Sequence, residues 1–232
     1  MPLHQAQGEV HVTGQRTLDG SKQGFVSATP ADHVIVYGSY LQSPSVISFY
    51  EGGAGTYVRL NDPAASSPLL LEARVGWGRG SLRLTEVGTN TDPVAAALTF
   101  FLPFLGFEPD PTPYRITGTV ERQSAQLALG RIHRFENTST SVEIGVGARA
   151  SRIAFSNLQS TGPSIVDTGH LYAFEPNLTG RIDFGGFGIK SFGGLSIPLT
   201  TFDDQNADVS PLGNINVGVG IDVDLVRLFT SR

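Results

Sequence analysis

The chain has 232 residues, a net charge of −5 and no cysteine. That excludes a disulfide scaffold, a thiolate metal site and thiol catalysis, and the acidic balance argues against a nucleic-acid partner. Apolar residues make up 40% and charged residues 16%, too apolar for a disordered chain. Glycine is abundant at 28 residues, and Lys22 and Lys190 are the only lysines.

The N-terminus, Met1-Pro2-Leu3-His4-Gln5-Ala6, has neither the basic nor the apolar region of a signal peptide. No stretch reaches the ~18 apolar residues of a membrane helix. The dominant period is two. It divides the chain into about ten strands, at roughly 8–17, 23–29, 33–42, 46–60, 68–82, 114–132, 139–156, 169–184, 187–199 and 212–229. In 69–77, Leu69, Leu71, Ala73, Val75 and Trp77 alternate with Glu72, Arg74 and Gly76. In 142–150, Val142, Ile144 and Val146 oppose Glu143, Gly145 and Arg149. Residues 170–184 set Tyr172, Phe174, Leu178 and Ile182 against Glu175, Asn177, Arg181 and Asp183. The last strand sets Val217, Val219, Ile221 and Val223 against Gly218, Gly220, Asp222 and Asp224.

Connections alternate in character. Pro30-Ala31-Asp32, Glu136-Asn137-Thr138 and Gly185-Gly186 are short, and Asn61 to Ser67 is somewhat longer. The long set runs Val87–Pro113, Asn157–Thr168 and Thr200–Pro211. The fold class this pattern predicts is all-β: one domain forming an antiparallel up-and-down transmembrane β-barrel, with both termini on the short-turn side.

Alternation does not say which face points inward, and a lipocalin-like barrel would put the apolar face inside. Three features favour a membrane barrel. Lysine is nearly absent, whereas soluble surfaces are rich in charge. The polar face is glycine-rich, which suits a crowded lumen. Aromatics gather at strand ends: Tyr114, Tyr172 and Phe174 toward the long loops, Phe184, Phe187 and Phe229 toward the short turns.

Several segments resemble a group of small, largely uncharacterised outer-membrane β-barrel proteins of Gram-negative bacteria. They are Gly8-Glu9-Val10-His11-Val12, Ala31-Asp32-His33-Val34-Ile35-Val36 with Gly38-Ser39-Tyr40, and Tyr50-Glu51-Gly52-Gly53-Ala54-Gly55-Thr56-Tyr57. Leu71-Glu72-Ala73-Arg74-Val75-Gly76-Trp77-Gly78, Ala154-Phe155-Ser156-Asn157-Leu158, Phe174-Glu175-Pro176 and Gly194-Leu195-Ser196-Ile197-Pro198-Leu199 complete the set. The resemblance implies an outer-membrane location and a leader lost upstream, and it transfers no active site. Such barrels commonly end in an aromatic residue, whereas Phe229 is followed by Thr230-Ser231-Arg232.

In a membrane barrel the lumen carries Glu51, Arg59, Glu72, Arg74, Glu143, Arg149, Glu175, Arg181, Asp183, Lys190, Asp222 and Asp224. Opposite charges confined there are expected to pair into a plug that holds the barrel closed. A small pore or proton path is the functional alternative. His170, near Ser164 and Asp167, falls on the apolar parity and forms no triad by sequence. His4, His11, His33 and His133 show no metal-ligand spacing, so no metal or cofactor is expected. Asp204-Gln205-Asn206-Ala207-Asp208 begins like a calcium loop but has Val209 where glycine is needed and Ile215 where glutamate is needed. The glycine runs at 76–80 and 185–188 lead into no helix and are not phosphate loops.

Val94–Phe107 is an apolar stretch in the longest connection. Its anchors for a protein partner or for membrane lipid would be Phe100, Phe101, Phe104 and Phe107. The function these features favour is non-enzymatic: a structural or accessory subunit of a membrane or cell-surface complex, docking through its outer loops. A small pore or a ligand-binding barrel is the second class, soluble and lipocalin-like if the faces are inverted. A lipid-modifying enzyme is the third.

Overall fold

The computed structural model describes residues 3–17, 20–42, 47–62, 65–87, 114–136, 138–161, 170–199 and 214–230. Ten strands form an antiparallel meander: β1 (Val10–Thr17), β2 (Lys22–Ala31), β3 (Val34–Gln42), β4 (Ile47–Arg59), β5 (Leu69–Val87), β6 (Tyr114–Arg134), β7 (Thr140–Ser160), β8 (His170–Phe184), β9 (Phe187–Pro198) and β10 (Asn214–Asp224). Each strand pairs with its sequence neighbours, and β1 pairs with β10 to close the barrel. Closure leaves no unpaired sheet edge.

The two ends differ. Gly185 and Gly186 join β8 to β9 with φ of 80° and 107°, positive at both central positions of a two-residue hairpin. Only glycine adopts this pair of angles without strain. The β2–β3 turn places His33 at φ 61°, and its Nδ1 lies 2.8 Å from the Tyr57 carbonyl. The connections at the opposite end include the three long ones. Residues 94–107 and 204–208, with the four phenylalanines expected as docking anchors, lie outside the described residues.

One expectation fails at the C-terminus. Strand β10 stops at Asp224, and Leu225–Thr230 forms a short helix, α1, instead of continuing to 229. The physical reason is a cap. The Asp224 carboxylate accepts the Arg227 backbone N–H at 3.0 Å, satisfying a donor that a helix start leaves free.

The faces separate cleanly. Outward positions carry Val75, Leu127, Ile144, Leu178, Val219 and Ile221, all more than half exposed. Inward positions carry carboxylates, guanidiniums and small residues, together with the buried side chains of Phe25, Ile35, Tyr37, Phe49, Tyr57 and Leu82. Tyr172, Phe174, Phe184 and Phe187 are exposed at strand ends. Strands β6 and β7 have 21 residues each and β5 has 19, where a tilted membrane strand needs about 9–11. Their excess lies at the long-loop end, where the outward residues turn polar at Arg79, Ser81 and Glu121.

The lumen has room for rings because glycines face them. The ring of Tyr37 lies against Gly53 and its hydroxyl against Gly76. A Cβ on Gly53 would sit 2.6 Å from that ring and 2.2 Å from the Val75 carbonyl oxygen. Gly24 on β2 has nothing within 4 Å of a Cβ position. Gly53→Val is therefore expected to destabilise the barrel by about 1–3 kcal/mol, with Gly24→Val close to neutral. Urea-unfolding midpoints of the two variants in detergent check this, and equal shifts would refute the packing account.

Candidate functional site

Seven lumen strands and the N-terminal segment together bury two tiers of charge. Near the long-loop end, Arg122 on β6 reaches Glu51 on β4 through Nε at 2.9 Å and through a second, shorter bond from NH2. Glu51 also accepts from Tyr37 and Ser124, each at 3.2 Å. Beside it, Arg149 on β7 holds Glu175 on β8 with two bonds, Nε at 2.5 Å and NH2 at 2.9 Å, and Ser151 adds a third at 3.0 Å. The guanidinium of Arg122 lies 4.8 Å over the Phe49 ring. Two arginines and two glutamates cancel in charge, with Arg122, Arg149 and Glu175 each keeping about a fifth of the side chain exposed.

The second tier lies toward the short turns. Arg181 faces three carboxylates: Asp183 at 2.7 Å, Asp222 at 2.8 Å and Glu143 at 3.7 Å. The Asp222 contact is an ion pair without hydrogen-bond alignment. Asp222 accepts from the Thr13 hydroxyl at 2.5 Å and lies 3.5 Å from the His11 ring. His11 in turn lies 3.7 Å from Glu9. Lys190 is buried and interacts electrostatically with Glu143 and Asp222. Asp183 is the junction at this end. It accepts the backbone N–H groups of Gly185 and Gly186 at 3.1 and 3.3 Å, and Arg227 of α1 at 2.8 Å.

The N-terminal segment enters this tier. The His4 backbone N–H donates to Glu72 at 2.5 Å, and that of Leu3 donates to Glu143 at 3.1 Å. The fully buried His4 ring places Nδ1 3.2 Å from Glu72 and 3.3 Å from Arg74, and Nε2 3.0 Å from Ser27. Arg74 also bonds Glu72 directly. Leu3 packs with Leu70 and Ile132 in the small buried apolar cluster. The barrel is thus filled from below by its own chain. Burial holds the His4 imidazole below the ordinary histidine value; Glu72 opposes this, and Arg74 and His11 add to it.

Of the expected lumen charges, Glu51, Glu72, Arg74, Glu143, Arg149, Glu175, Arg181, Asp183, Lys190 and Asp222 face inward, in these two tiers. Two stand elsewhere. Arg59 is exposed, bonding the Asn61 side chain and, at 2.7 Å, the Ala65 carbonyl. It has inward parity, but β4 ends there, and its side chain turns to the 60–68 connection. Asp224 is buried as the cap of α1 rather than as a member of an ion cluster. Sequence reasoning missed Arg122, His11, Tyr37 and His4. Counting inward from Leu127 and Leu129 would have found Arg122, and Val10 and Val12 would have placed His11 inside. Nothing in the alternation marks His4, which precedes β1. His170 lies on the outside, with Arg152 as its side-chain neighbour at 2.5 Å. No group of three or more metal-ligating side chains occurs among the described residues.

No family model matches the chain, and no curated protein matches it. Among solved structures it is similar to the translocator domain of the autotransporter NalP from Neisseria meningitidis, with 10% identity and a TM-score of 0.40, covering 95% of this chain and 89% of that one. It is also similar to the N-terminal β-barrel domain of Pseudomonas aeruginosa OprF, with 11% identity and a TM-score of 0.30 over 94% and 99%. A third is Acinetobacter baumannii CarO, with 9% identity and a TM-score of 0.22 over 94% and 98%. Likenesses of that degree say nothing about what this chain binds or does.

Removing one partner of a buried ion pair strands the other. Glu51→Gln should cost about 3–5 kcal/mol, whereas Glu51→Gln with Arg122→Met should cost less than the single change. A double-mutant cycle from urea midpoints measures this, and simple additivity would contradict a coupled pair.

The His4 shift has a definite sign. Its folded value is depressed from 6.5, so docking of the N-terminal segment is fully stabilised above about pH 6.5 and weakens as pH falls below it. Hydrogen-exchange protection of the Leu3 and His4 amides should drop between pH 7.5 and 5 in the native chain. In His4→Gln it should stay flat, and a drop of equal size there would assign the effect to other groups.

Proposed function

We propose that this chain is a non-enzymatic β-barrel of the bacterial outer membrane. Its lumen is closed, and it serves as a structural or accessory subunit that presents its long loops to a protein partner. The membrane location is supported by the outward belt of valine, isoleucine and leucine. In water that belt would be an apolar surface encircling the molecule, far beyond what soluble monomers expose. The inverted arrangement, a soluble carrier with an apolar cavity, is opposed by the carboxylates and guanidiniums inside.

The observation that carries a structural rather than a conducting role is the filled lumen. A pore needs charged side chains that meet water and permeant ions. Here Arg122–Glu51, Arg149–Glu175 and Arg181 with its three carboxylates satisfy one another, and Leu3 and His4 occupy the lower lumen. A narrow barrel of about ten strands leaves little space beside them. His170 lies against Arg152, which supplies neither a nucleophile nor a general base, and Ser164 and Asp167 lie outside the described residues.

The test is reconstitution of the purified chain in planar bilayers. A band whose gel mobility changes on boiling establishes the inserted barrel first. The inserted protein should then conduct no more than protein-free bilayers. A steady single-channel current from the native chain would overturn the closed reading in favour of a pore.

A further inference from the structure

We infer that the outer rim of β6, β7 and β8 is a binding site for a phosphate-bearing membrane lipid, with Arg152 as its anchor. The inference rests on the barrel's insertion in a membrane. Arg152 points outward from β7, and no carboxylate lies within 4.0 Å of it among the described residues. Its NH1 donates to Gln123 at a long 3.5 Å and its NH2 to His170 Nε2 at 2.5 Å. Its Nε is shielded from solvent and has no hydrogen-bond partner. Of the other barrel arginines, Arg74, Arg122, Arg149 and Arg181 pair with carboxylates inside and Arg79 pairs with Glu121 at 3.6 Å at this same rim, whereas Arg131 and Arg134 at the opposite end bond Ser67 and Gln5. A guanidinium turned toward an imidazole has donors to spare. With Nε2 facing the guanidinium, Nδ1 of His170 is the ring nitrogen left to donate.

The level of Arg152 is fixed by strand register. Trp77, Gln123, Arg152 and Tyr172 form one row across β5 to β8. Trp77 and Tyr172 are both exposed, and such rings sit at headgroup depth. The row beneath is Val75, Ala125, Ala150 and Phe174. Two alanines thus lie between two ridges of large side chains about three strand spacings apart, roughly 14 Å. Below Arg152 this makes a shallow apolar trough. A phosphate at the row above and an acyl chain along the alanines match its chemistry. The trough opens toward the long-loop end, the outer leaflet in bacterial barrels. A planar guanidinium beside a second donor is the arrangement that grips a phosphate with two bonds.

The probe is phosphatidylglycerol, with phosphate-free diacylglycerol as reference, added to the folded full chain in detergent and read by native mass spectrometry. The native chain should retain phosphatidylglycerol about tenfold over diacylglycerol, the scale of a lost charged hydrogen bond. Arg152→Gln should bring the ratio near one while keeping the boiling-dependent gel shift. Arg152→Lys, which keeps the charge without the fork, should fall between. Arg79→Gln at the same rim should leave the ratio unchanged. Equal retention by Arg152→Gln would overturn the site. Displacement of the lipid by millimolar inorganic phosphate would show that the site takes the free anion, and would overturn the lipid assignment. Failure of the native chain to insert into phosphatidylcholine vesicles is a separate readout. It would remove the membrane reading, and this inference with it.

Discussion

Closing ten strands into a ring confines every second residue to a narrow interior. Few of the charges there can keep a hydration shell, so each must find an opposite charge or a hydrogen-bonding neighbour within the barrel. The remaining structure follows from that demand. Arg149 meets Glu175 across the β7–β8 pairing, and Arg122 meets Glu51 over Gly78 of the intervening β5. The same confinement explains why glycine alternates with charge inside: Tyr37 lies flat because Gly53 and Gly76 leave the wall bare. A soluble barrel has the opposite problem, an oily interior and a charged shell, and its sequence would show abundant exposed lysine.

The short-turn end is sealed by two different devices. The N-terminal segment inserts upward, with His4 and Leu3 donating backbone N–H groups to Glu72 and Glu143. The C-terminal helix lies across the end, held by Arg227 on Asp183 and on the Ser139 carbonyl. Asp183 therefore joins a hairpin turn, a wall strand and the helix through one carboxylate. These contacts tie together three chain regions distant in sequence, and they leave the lower lumen occupied. The elongated β5, β6 and β7 rise at the other end. The short-turn end is thus closed by side chains, and the longer strands project at the other end.

Much of this was legible in the sequence, and the reason is the exact period of two. Val217, Val219 and Ile221 opposite Gly218, Gly220 and Asp222 fix both the strand and its faces, since a one-residue slip would bury the aliphatics among charges. Gly185-Gly186 likewise announces its turn through the angles only glycine adopts. Legibility failed where period two stops carrying information. Arg59 has inward parity, but it stands at a strand end, where a long side chain can turn away. Asp224 reads as one more alternating residue, yet its carboxylate starts a helix of six residues, too short to leave a periodic signal. His4 precedes the first strand, so no alternation could place it. The tiers themselves were invisible, because partners such as Arg122 and Glu51 lie on non-adjacent strands, and only the registers of β4, β5 and β6 bring them into one row over Gly78.

On the membrane reading proposed above, the outward face follows the same logic with lipid in place of the lumen. On β6 the apolar stretch is short, Ala125 to Leu129, bounded by Gln123 above and Arg131 below. Those polar limits set the depth of the barrel more sharply than hydrophobicity alone, because a guanidinium below headgroup level would lose its solvation. On β7 the corresponding limit is Arg152. An arginine paired with a carboxylate marks such a boundary passively. One directed at an imidazole, between two interfacial rings and above a floor of alanines, holds unused donors at the depth where lipid phosphates lie. On the proposed lipid site, the limit that sets the barrel's depth on this side is also the place where it discriminates among the lipids around it.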